Sequence, residues 1–312
     1  MKTDEAVAPV IAAMLVLAVI VTFFAVWNAT AIPSMKAQSE VTHLQEVESG
    51  ILRFSSDIDT AASTTSSMTL SERIPLGGGE ILYSSTKSGG VIDVKSEDES
   101  YMKIQLYNVT SPNVPEVSGN RTFILSNITY QPVGNFWQDQ GYFWSYGFVN
   151  VTKGSSNSSV PLEYATMRDV PYNITGGLFS TDIGAYSSGG NCSVLVIKGV
   201  NIIPAETGRS TSGNGMGTLS LTSTVSSDTF VNITKINVSV IRPASGKIDG
   251  FPRVMYRTVN DTVTNGLKPA CSNIKDVTYS TGADSDGTVT VMIGIPNVTV
   301  IQRITNITIS AQ

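Results

Sequence analysis

The stretch VAPVIAAMLVLAVIVTFFAVW, residues 7–27, decides the architecture of this chain because it is apolar at every position except Thr22. It is 21 residues long, and a helix needs about 20 apolar residues to cross the hydrocarbon core of a membrane. Lys2 precedes the run, but Asp4 and Glu5 offset its charge, so the flanking charges say little about orientation. The run predicts a membrane-length helix at the N-terminus.

This helix has three interpretations. A cleaved secretory signal peptide has a shorter apolar core and a small-residue cleavage site. Ala29-Thr30-Ala31 would serve as such a site, but the apolar run is too long and its start too acidic. A simple uncleaved anchor fits the length with no further assumption. The third interpretation depends on the residues at the start of the run.

Residues Ala6-Val7-Ala8-Pro9-Val10-Ile11-Ala12 resemble the start of archaeal type IV pilins. In that family a membrane peptidase removes a very short leader on the cytoplasmic side and leaves the hydrophobic helix on the mature protein. The resemblance implies a leader of residues 1–6 and cleavage between Ala6 and Val7. Pro9 would then lie in the first helical turn, where its missing N–H costs nothing.

A second helical pattern follows the apolar run. Pro33 is expected to kink or restart the helix. Beyond it, one apolar stripe recurs at spacings of three and four residues, at Val41, Leu44, Val47, Ile51, Phe54 and Ile58. We therefore expect a transmembrane and stalk helix over residues 7–62, with the stripe packed on the chain's own β domain rather than on neighbouring subunits. His43 is expected to be an ordinary surface residue of this helix.

From about residue 69 the pattern changes to short β-branched and aromatic runs separated by Gly, Ser, Asn and Asp clusters, which predicts an all-β region. The strand candidates are Tyr101–Tyr107, Thr122–Tyr130, Phe143–Val151, Ser193–Ile197, Thr218–Thr224, Phe230–Ile241, Thr288–Ile293 and Val298–Ile309. The predicted fold class is α+β, a long N-terminal hydrophobic helix followed by a mostly antiparallel β-sandwich head at residues 63–312. The Gly- and Ser-rich residues 176–190 fit either a boundary between two β subdomains or a loop of one continuous sandwich.

The densest aromatic cluster lies at residues 135–146. We interpret it as a tight turn between two strands, in which Gly141 permits the bend and the rings pack into the core. The alternative is that Trp137 and Trp144 are exposed and bind sugars or a neighbouring subunit.

The acceptor pattern for N-glycosylation, Asn-x-Ser/Thr, is strongly enriched in this chain. It occurs at 13 of the 19 asparagines, where composition alone would supply about four. Asn28 abuts the apolar run and is expected to stay unmodified. Glycosylation is predicted at the other twelve, which are Asn108, Asn120, Asn127, Asn150, Asn157, Asn173, Asn191, Asn232, Asn237, Asn260, Asn297 and Asn306. Modified residues lie outside the cell, so the head is expected outside and the leader inside.

These acceptor patterns also predict which way the strands face. The middle residue is Val or Ile in eight of them. Side chains alternate between the two faces of a strand. The Asn and the hydroxyl residue are therefore expected to face solvent, with the Val or Ile between them in the core.

The chain has two cysteines, Cys192 and Cys271. An extracellular location favours a disulfide between them, which would stabilise the fold by roughly 4 kcal/mol in the chain-entropy model. Two buried free thiols are the alternative.

Composition and motifs argue against several classes of function. Lys and Arg are scattered, so no basic stripe indicates a nucleic-acid partner. A single histidine leaves no Ser-His-Asp triad and no His-rich metal site. Asp284-Ser285-Asp286-Gly287 lacks the later Glu of a calcium loop and is interpreted as a hairpin turn. We expect no enzyme activity, no cofactor and no metal, although two carboxylates brought together by folding would leave no trace in the sequence.

Together these features predict a structural or adhesive component of the archaeal cell surface, a pilin-like subunit of a type IV pilus-like filament. The expected partners are membrane lipid along Val7–Trp27, further copies of the chain through their N-terminal helices, a leader peptidase and an oligosaccharyltransferase. The expected location is the cell membrane with an extracellular domain, or an extracellular filament. The alternatives are a membrane-anchored binding module that does not polymerise and an anchored polysaccharide hydrolase.

Overall fold

The computed structural model describes residues 7–77, 88–97, 100–111, 114–135, 139–153, 159–161, 183–241, 258–281 and 289–312. Helix α1 spans Val7–Ser63. The strands in these residues are β1 Met68–Pro75, β2 Gly89–Ser96, β3 Met102–Ser111, β4 Val114–Phe123, β5 Ser126–Val133, β6 Gln140–Ser145, β7 Phe148–Lys153, β8 Ser159–Pro161, β9 Ile183–Ser188, β10 Asn191–Pro204, β11 Ser210–Gly213, β12 Met216–Val240, β13 Asp276–Thr281 and β14 Val289–Ala311. A π-helix, Thr262–Leu267, continues into the one-turn helix α2, Lys268–Ala270.

The strands form two sheets. The larger has the order β4-β3-β12-β14-β10-β9, with β1 also paired to β12 and β13 to β14. The smaller has the order β11-β2-β5-β6-β7-β8. Among the described strands only β10 and β14 pair in parallel. The predicted fold class, α+β with a long apolar N-terminal helix and a mostly antiparallel two-sheet head, is confirmed.

The two longest strands form a ribbon that runs through the whole head. β12 has 25 residues and β14 has 23, and they pair from Leu219 opposite Ala311 to Val240 opposite Val289. Thr218–Thr224 and Phe230–Ile241, predicted as separate strands, are therefore parts of one strand. The same is true of Thr288–Ile293 and Val298–Ile309.

The ribbon buries opposite faces in its two halves. Near the end of β14, the odd-numbered Ile307 and Ile309 are buried, whereas earlier in the strand the even-numbered Val298, Val300 and Ile304 are buried. No register shift separates these two stretches, and side chains alternate along a strand. The ribbon therefore contributes to a core layer on each of its faces.

These two layers define two lobes. The helix-side lobe comprises α1, β1, the smaller sheet and ribbon residues 217–223 and 305–311. The disulfide-side lobe comprises β3, β4, β9, residues 191–199 of β10, β13, residues 258–275 and ribbon residues 233–240 and 289–304. Buried side chains of both lobes belong to one continuous hydrophobic core. The interpretation of residues 176–190 as a boundary stays a prediction, since residues 162–182 lie outside the described chain.

The ribbon bends at two bulges near its middle. Its register shifts on both sides of Ile233. Asn232 and Asn297 adopt positive φ angles of 58° and 46°, a left-handed conformation that asparagine tolerates better than most residues. The residues that follow them, Ile233 and Val298, are completely buried. The bulges thus keep apolar residues in the core while the strands bend.

Helix α1 docks on the head through its predicted stripe. Leu44, Val47, Ile51, Phe54 and Ile58 are all buried, and α1 packs against β1, β6, β7, β12 and β14. The expected partner of this stripe, the chain's own β domain, is confirmed. Val41, the first residue of the predicted stripe, is 40% exposed and takes no part.

The helix continues through Pro33 without a break, so of the two expected effects of Pro33, a kink or a restart, the restart does not occur. The kink remains a prediction. A proline inside a helix removes one backbone hydrogen bond, and here the helix continues for another 30 residues, to Ser63. The helix end predicted at Ala62 is one residue short.

One strand prediction and one turn prediction at the aromatic cluster are wrong. Phe143–Val151 is a hairpin rather than one strand, with Tyr146 and Gly147 in its two-residue turn at φ angles of 54° and 85°. Two positive φ angles match the right-handed twist of the flanking strands. Gly141 is inside β6 and does not form the turn. A Cβ there would lie 2.6 Å from the carbonyl oxygen of Tyr130, so close strand approach is what requires glycine.

The rings of this cluster pack as expected. Tyr142, Trp144 and Tyr146 are each about 1% exposed, which confirms the prediction that they belong to the core; Trp137 lies outside the described residues. Separately, the predicted strand Thr122–Tyr130 is broken at Ile124 and Leu125, where the chain crosses from the larger sheet to the smaller one.

Replacing Phe54 by alanine tests how strongly the helix is held. Phe54 is 1% exposed, and a buried Phe→Ala change costs about 3–5 kcal/mol because it removes apolar contact and leaves a cavity. We expect Phe54→Ala to lower the free energy of unfolding by this amount in chemical denaturation of the full chain in mild detergent. Val41→Ala, on the same helix but exposed, should change it by less than about 0.5 kcal/mol. Equal effects of the two changes would contradict the docked arrangement.

Candidate functional site on the apolar half of helix α1

The first half of α1 has no partner within the described part of the chain. Thirteen large apolar side chains between Val10 and Trp27 are 46–66% exposed. No charged residue lies between Glu5 and Lys36. This helix is long and apolar enough to cross a membrane, and none of its most apolar window is buried. We call residues 9–30 the apolar rod.

The few polar side chains of the apolar rod bond to the helix itself. Thr22, Asn28 and Thr30 each donate a hydrogen bond to the backbone carbonyl oxygen four residues earlier, at 2.8–3.0 Å. Thr22 also donates to the carbonyl oxygen of Val19 at 2.9 Å. An unsatisfied polar group in hydrocarbon is costly, and these bonds satisfy the donors within the helix. The apolar rod is therefore compatible with apolar surroundings on every side.

Aromatic residues lie at the C-terminal end of the membrane-length segment. Phe23 and Trp27, one helical turn apart, stack with ring centroids 6.2 Å apart, and Phe24 lies edge-on to Phe23 at 6.1 Å. Trp is enriched where a membrane span meets the aqueous interface, because its ring is apolar and its N–H is polar. Trp27 thus fits the position of an interfacial residue at the end of a span that begins near Val7.

Helix geometry sets the distance from the apolar segment to the head. At 1.5 Å per residue, residues 7–27 cover about 30 Å, the thickness of a hydrocarbon core. Residues 28–39 add about 18 Å. Glu40 is the first residue of α1 that is buried against the head. The head therefore begins about 18 Å beyond the hydrocarbon, which is past the headgroup layer of about 5–8 Å on that side.

A buried polar network fixes the docked half of α1 to the smaller sheet. His43 Nε2 lies 2.9 Å from the hydroxyl of Tyr130, which in turn donates to the carbonyl oxygen of Leu76 at 3.3 Å. The Tyr142 hydroxyl lies 3.1 Å from both the Leu44 carbonyl oxygen and Glu48 Oε2. These contacts give the helix one rotational setting, since only one face carries the matching groups.

Trp144 and Gly50 add to this docking. The Trp144 indole N–H donates to the hydroxyl of Ser55 at 3.0 Å. On the other flank, a Cβ at Gly50 would lie 3.1 Å from Ile74, so glycine allows the helix to approach β1 closely. The half of α1 beyond the apolar rod is therefore a fixed part of the head.

The expectation that His43 is an ordinary surface residue is wrong. His43 is only 5% exposed, and burial lowers its pKa below the usual value of 6.5. The negative charge of Glu46 and a backbone hydrogen bond at Leu76 act in the opposite direction but do not outweigh burial. Sequence reasoning missed this residue because its partner, Tyr130, lies 87 residues away. One local signal existed, since His43 precedes Leu44 of the buried stripe.

Cys192 and Cys271 form a disulfide, with their Cα atoms 5.1 Å apart. The bond joins the start of β10 to the residue that follows α2, across 79 residues of sequence. Asn273 supports it by accepting a hydrogen bond from the backbone N–H of Cys192 at 3.1 Å and donating to its carbonyl oxygen at 2.8 Å. Residues 258–275 are thereby fastened to the hairpin of β9 and β10.

The predicted glycosylation acceptors lie in very different surroundings. Asn120, Asn191, Asn232 and Asn297 are exposed, and Asn150 is buried. The half-buried ones are Asn108, Asn127, Asn237, Asn260 and Asn306. Asn157 and Asn173 lie outside the described residues, as do the predicted leader residue Ala6 and the turn at residues 284–287.

The predicted facing of these patterns holds in most described strands. The middle residues Ile128, Ile233, Val238, Val298 and Ile307 are all buried, and the Asn before each of them is more exposed. Asn150 is the exception. In β7 the asparagine is 8% exposed, while Val151 after it is half-buried.

Within the described residues, no three His, Cys, Asp or Glu side chains come together as a candidate metal site. A polar cleft of about 240 Å³ lies between β4 and the ribbon, lined among others by Asn120, Arg121, Asn201 and Asn306. Asn201 holds the cleft together, since its amide accepts from the N–H of Ile124 at 2.8 Å and donates to Asn306 at 3.2 Å. Arg121 is paired with Asp228 at 2.6 Å.

Comparison of the chain with family models, with curated proteins and with solved structures finds no match.

Stability should depend on the charge state of His43. A buried histidine that stays neutral in the fold destabilises the protein once pH falls below 6.5, where the unfolded chain takes up a proton that the folded chain does not. The free energy of unfolding should therefore fall between neutral pH and about pH 5, by up to about 1.4 kcal/mol per pH unit from this group.

Urea denaturation of the wild type and of His43→Gln across this range measures the effect. We expect the glutamine variant to lose this part of the acid-side slope, while Thr42→Gln, at the exposed neighbouring position, keeps it. An unchanged slope in His43→Gln would contradict a buried neutral histidine.

Proposed function

We propose that this chain is a structural or adhesive component of an archaeal cell surface, a pilin-like subunit of a type IV pilus-like filament. In such a filament the apolar rods of neighbouring copies bundle into the core and the heads cover the outside. The observation that carries the proposal is the apolar rod, which is exposed on all sides within the described chain.

The free energy gained by burying the exposed side chains indicates that the apolar rod has a partner. Burying a fully exposed large apolar side chain is worth about 1.5–3 kcal/mol. The thirteen side chains are 46–66% exposed, so covering what remains represents about 10–20 kcal/mol in total. A whole domain is stable by only about 5–15 kcal/mol. An apolar surface of this size is therefore covered in the working protein, by lipid before assembly and by other copies after it.

The rigid connection to the head favours assembly over a plain anchor. A membrane anchor needs only the apolar segment, and a flexible linker would serve it equally well. Here α1 runs from Val7 to Ser63 without interruption, and its second half is fixed in the head. A helical array of identical subunits needs each head in one orientation relative to its rod, and a continuous helix provides it. The resemblance of residues 6–12 to archaeal pilins supports the same proposal.

The N-terminus of the mature protein distinguishes pilin processing from a plain anchor. We expect Edman sequencing or mass spectrometry of the protein from its native membrane to find Val7 as the first residue, because cleavage after Ala6 leaves the apolar rod intact. A chain that begins at Met1 would favour a membrane-anchored binding module that does not polymerise. A chain that begins near Ile32 would exclude both.

Assembly itself is tested by electron microscopy of a matched pair of variants. A glutamate in the middle of an apolar span costs about 3 kcal/mol or more, so Val16→Glu should abolish filaments or membrane retention. Val41→Glu makes the same change at an exposed position of the docked half and should leave both unchanged. Filaments that form normally with Val16→Glu would contradict a core built from the apolar rods.

A further inference from the structure

We propose that the fold, and not the local sequence, selects which acceptor asparagines carry sugar. On this assignment Asn120, Asn191, Asn232 and Asn297 are glycosylated, and Asn150 is not. Because the assignment requires the head to be outside the cell, it rests on the proposed function. It narrows the expectation that all twelve acceptors are modified.

Two of the three acceptors with the tripeptide Asn-Val-Thr separate the effect of the fold from that of the local sequence. Asn297-Val298-Thr299 and Asn150-Val151-Thr152 have identical sequences. Asn297 is exposed and Val298 is completely buried, whereas Asn150 is 8% exposed and Val151 is half-buried. An enzyme that read only the tripeptide would treat both alike, so any difference between them comes from the surrounding structure.

Asn150 has no room for a sugar. It lies in β7 between two paired strands, opposite Phe143 of β6 and Pro161 of β8. The neighbouring Phe143 and Val149 are 6% and 7% exposed. A glycan is bulky and strongly hydrated, so burying one at this position would cost far more than the hairpin gains. A chain that carried sugar on Asn150 would not form this part of the smaller sheet.

The ribbon bulges present Asn232 and Asn297 to solvent. Both have positive φ angles, and the residue after each is completely buried. The left-handed conformation turns each asparagine outward at a point where the pairing register shifts. Because Ile233 pairs with Val298 across the ribbon, these two acceptors lie close to each other on adjacent strands.

Asn120 and Asn191 are exposed for different reasons. Asn120 is on β4, an edge strand of the larger sheet. Asn191 begins β10 directly after the turn at Gly189 and Gly190, next to the disulfide. All four exposed acceptors belong to the disulfide-side lobe or to the ribbon bulges beside it, and Asn150 belongs to the helix-side lobe. The sugar would therefore coat the disulfide-side lobe and leave the β7 region bare.

The chemistry is a transfer from a lipid-phosphate-linked oligosaccharide. A bond forms between asparagine Nδ2 and the anomeric carbon of the first sugar. The bond from that carbon to the phosphate oxygen of the donor breaks, the lipid phosphate leaves, and one amide proton goes to solvent.

Glycopeptide mass spectrometry of the full chain, purified from a host with its own oligosaccharyltransferase, measures occupancy at each asparagine. We expect occupancy at Asn297 to be at least about tenfold that at Asn150, with Asn120, Asn191 and Asn232 also modified. Thr299→Val removes the acceptor hydroxyl without changing side-chain shape and should reduce the intact mass by one glycan. Thr152→Val makes the same change beside Asn150 and should leave the glycan mass unchanged.

Synthetic peptides of residues 145–155 and 292–302 provide the control for local sequence. Incubated with the same membranes and their lipid-linked donor, both should be modified to a similar extent. The assignment is overturned if the Asn150 peptide is refused, since sequence would then explain the difference. It is also overturned if Asn150 carries sugar in the full chain or if all four exposed acceptors are bare. Carbonate extraction of the same membranes tests the anchor separately, because a bare chain that stays in the membrane pellet would leave the proposed function standing.

Discussion

The constraint on which the rest depends is that one continuous helix is packed along half of its length and uncovered along the other half. Helix α1 spans Val7–Ser63. Its backbone hydrogen bonds link the apolar rod to the stripe of Leu44, Val47, Ile51, Phe54 and Ile58, which is buried in the head. The helix cannot fold the apolar rod back onto the head without breaking, so the exposed apolar surface has to be covered from outside. This requirement supports the proposal that the chain works in a membrane or in an assembly.

The second half of α1 is a structural element of the head. The network of His43, Tyr130, Tyr142 and Glu48 sets the rotation of α1 on the smaller sheet. The ribbon of β12 and β14 contributes to the core of both lobes. In the disulfide-side lobe, the bond between Cys192 and Cys271 fastens residues 258–275 to the start of β10. The apolar rod, the helix-side lobe and the disulfide-side lobe are thus connected through one continuous helix and one continuous core.

The parts that the sequence predicted are those that depend on local spacing. The stripe on α1 follows from residues three and four apart, and the all-β head from alternating apolar residues and turn clusters. The apolar rod follows from length and composition. These signals lie within a few residues of one another, so no knowledge of the tertiary structure is needed to recognise them.

The parts that the sequence did not predict depend on contacts between distant residues. His43 is buried because Tyr130 and Leu76 pack over it. Asn150 was predicted to face solvent, but it lies opposite Phe143 on β6, and both side chains are buried. The break predicted in β14 coincides with its irregular stretch between Gly294 and Val298. The break predicted in β12 falls instead on the polar run Ser226-Ser227-Asp228, where the pairing with β14 continues without a shift.

Spin-label accessibility measures the surroundings of the apolar rod most directly. Both native cysteines are in the disulfide, so a nitroxide can be placed at Val16→Cys or, for comparison, at Thr42→Cys in the full chain reconstituted in lipid vesicles. We expect the label at position 16 to be shielded from a water-soluble nickel complex, whether lipid or neighbouring helices surround it, and the label at position 42 to be accessible. Equal access of the nickel complex to both labels would contradict the central claim that the apolar half of α1 lies in apolar surroundings.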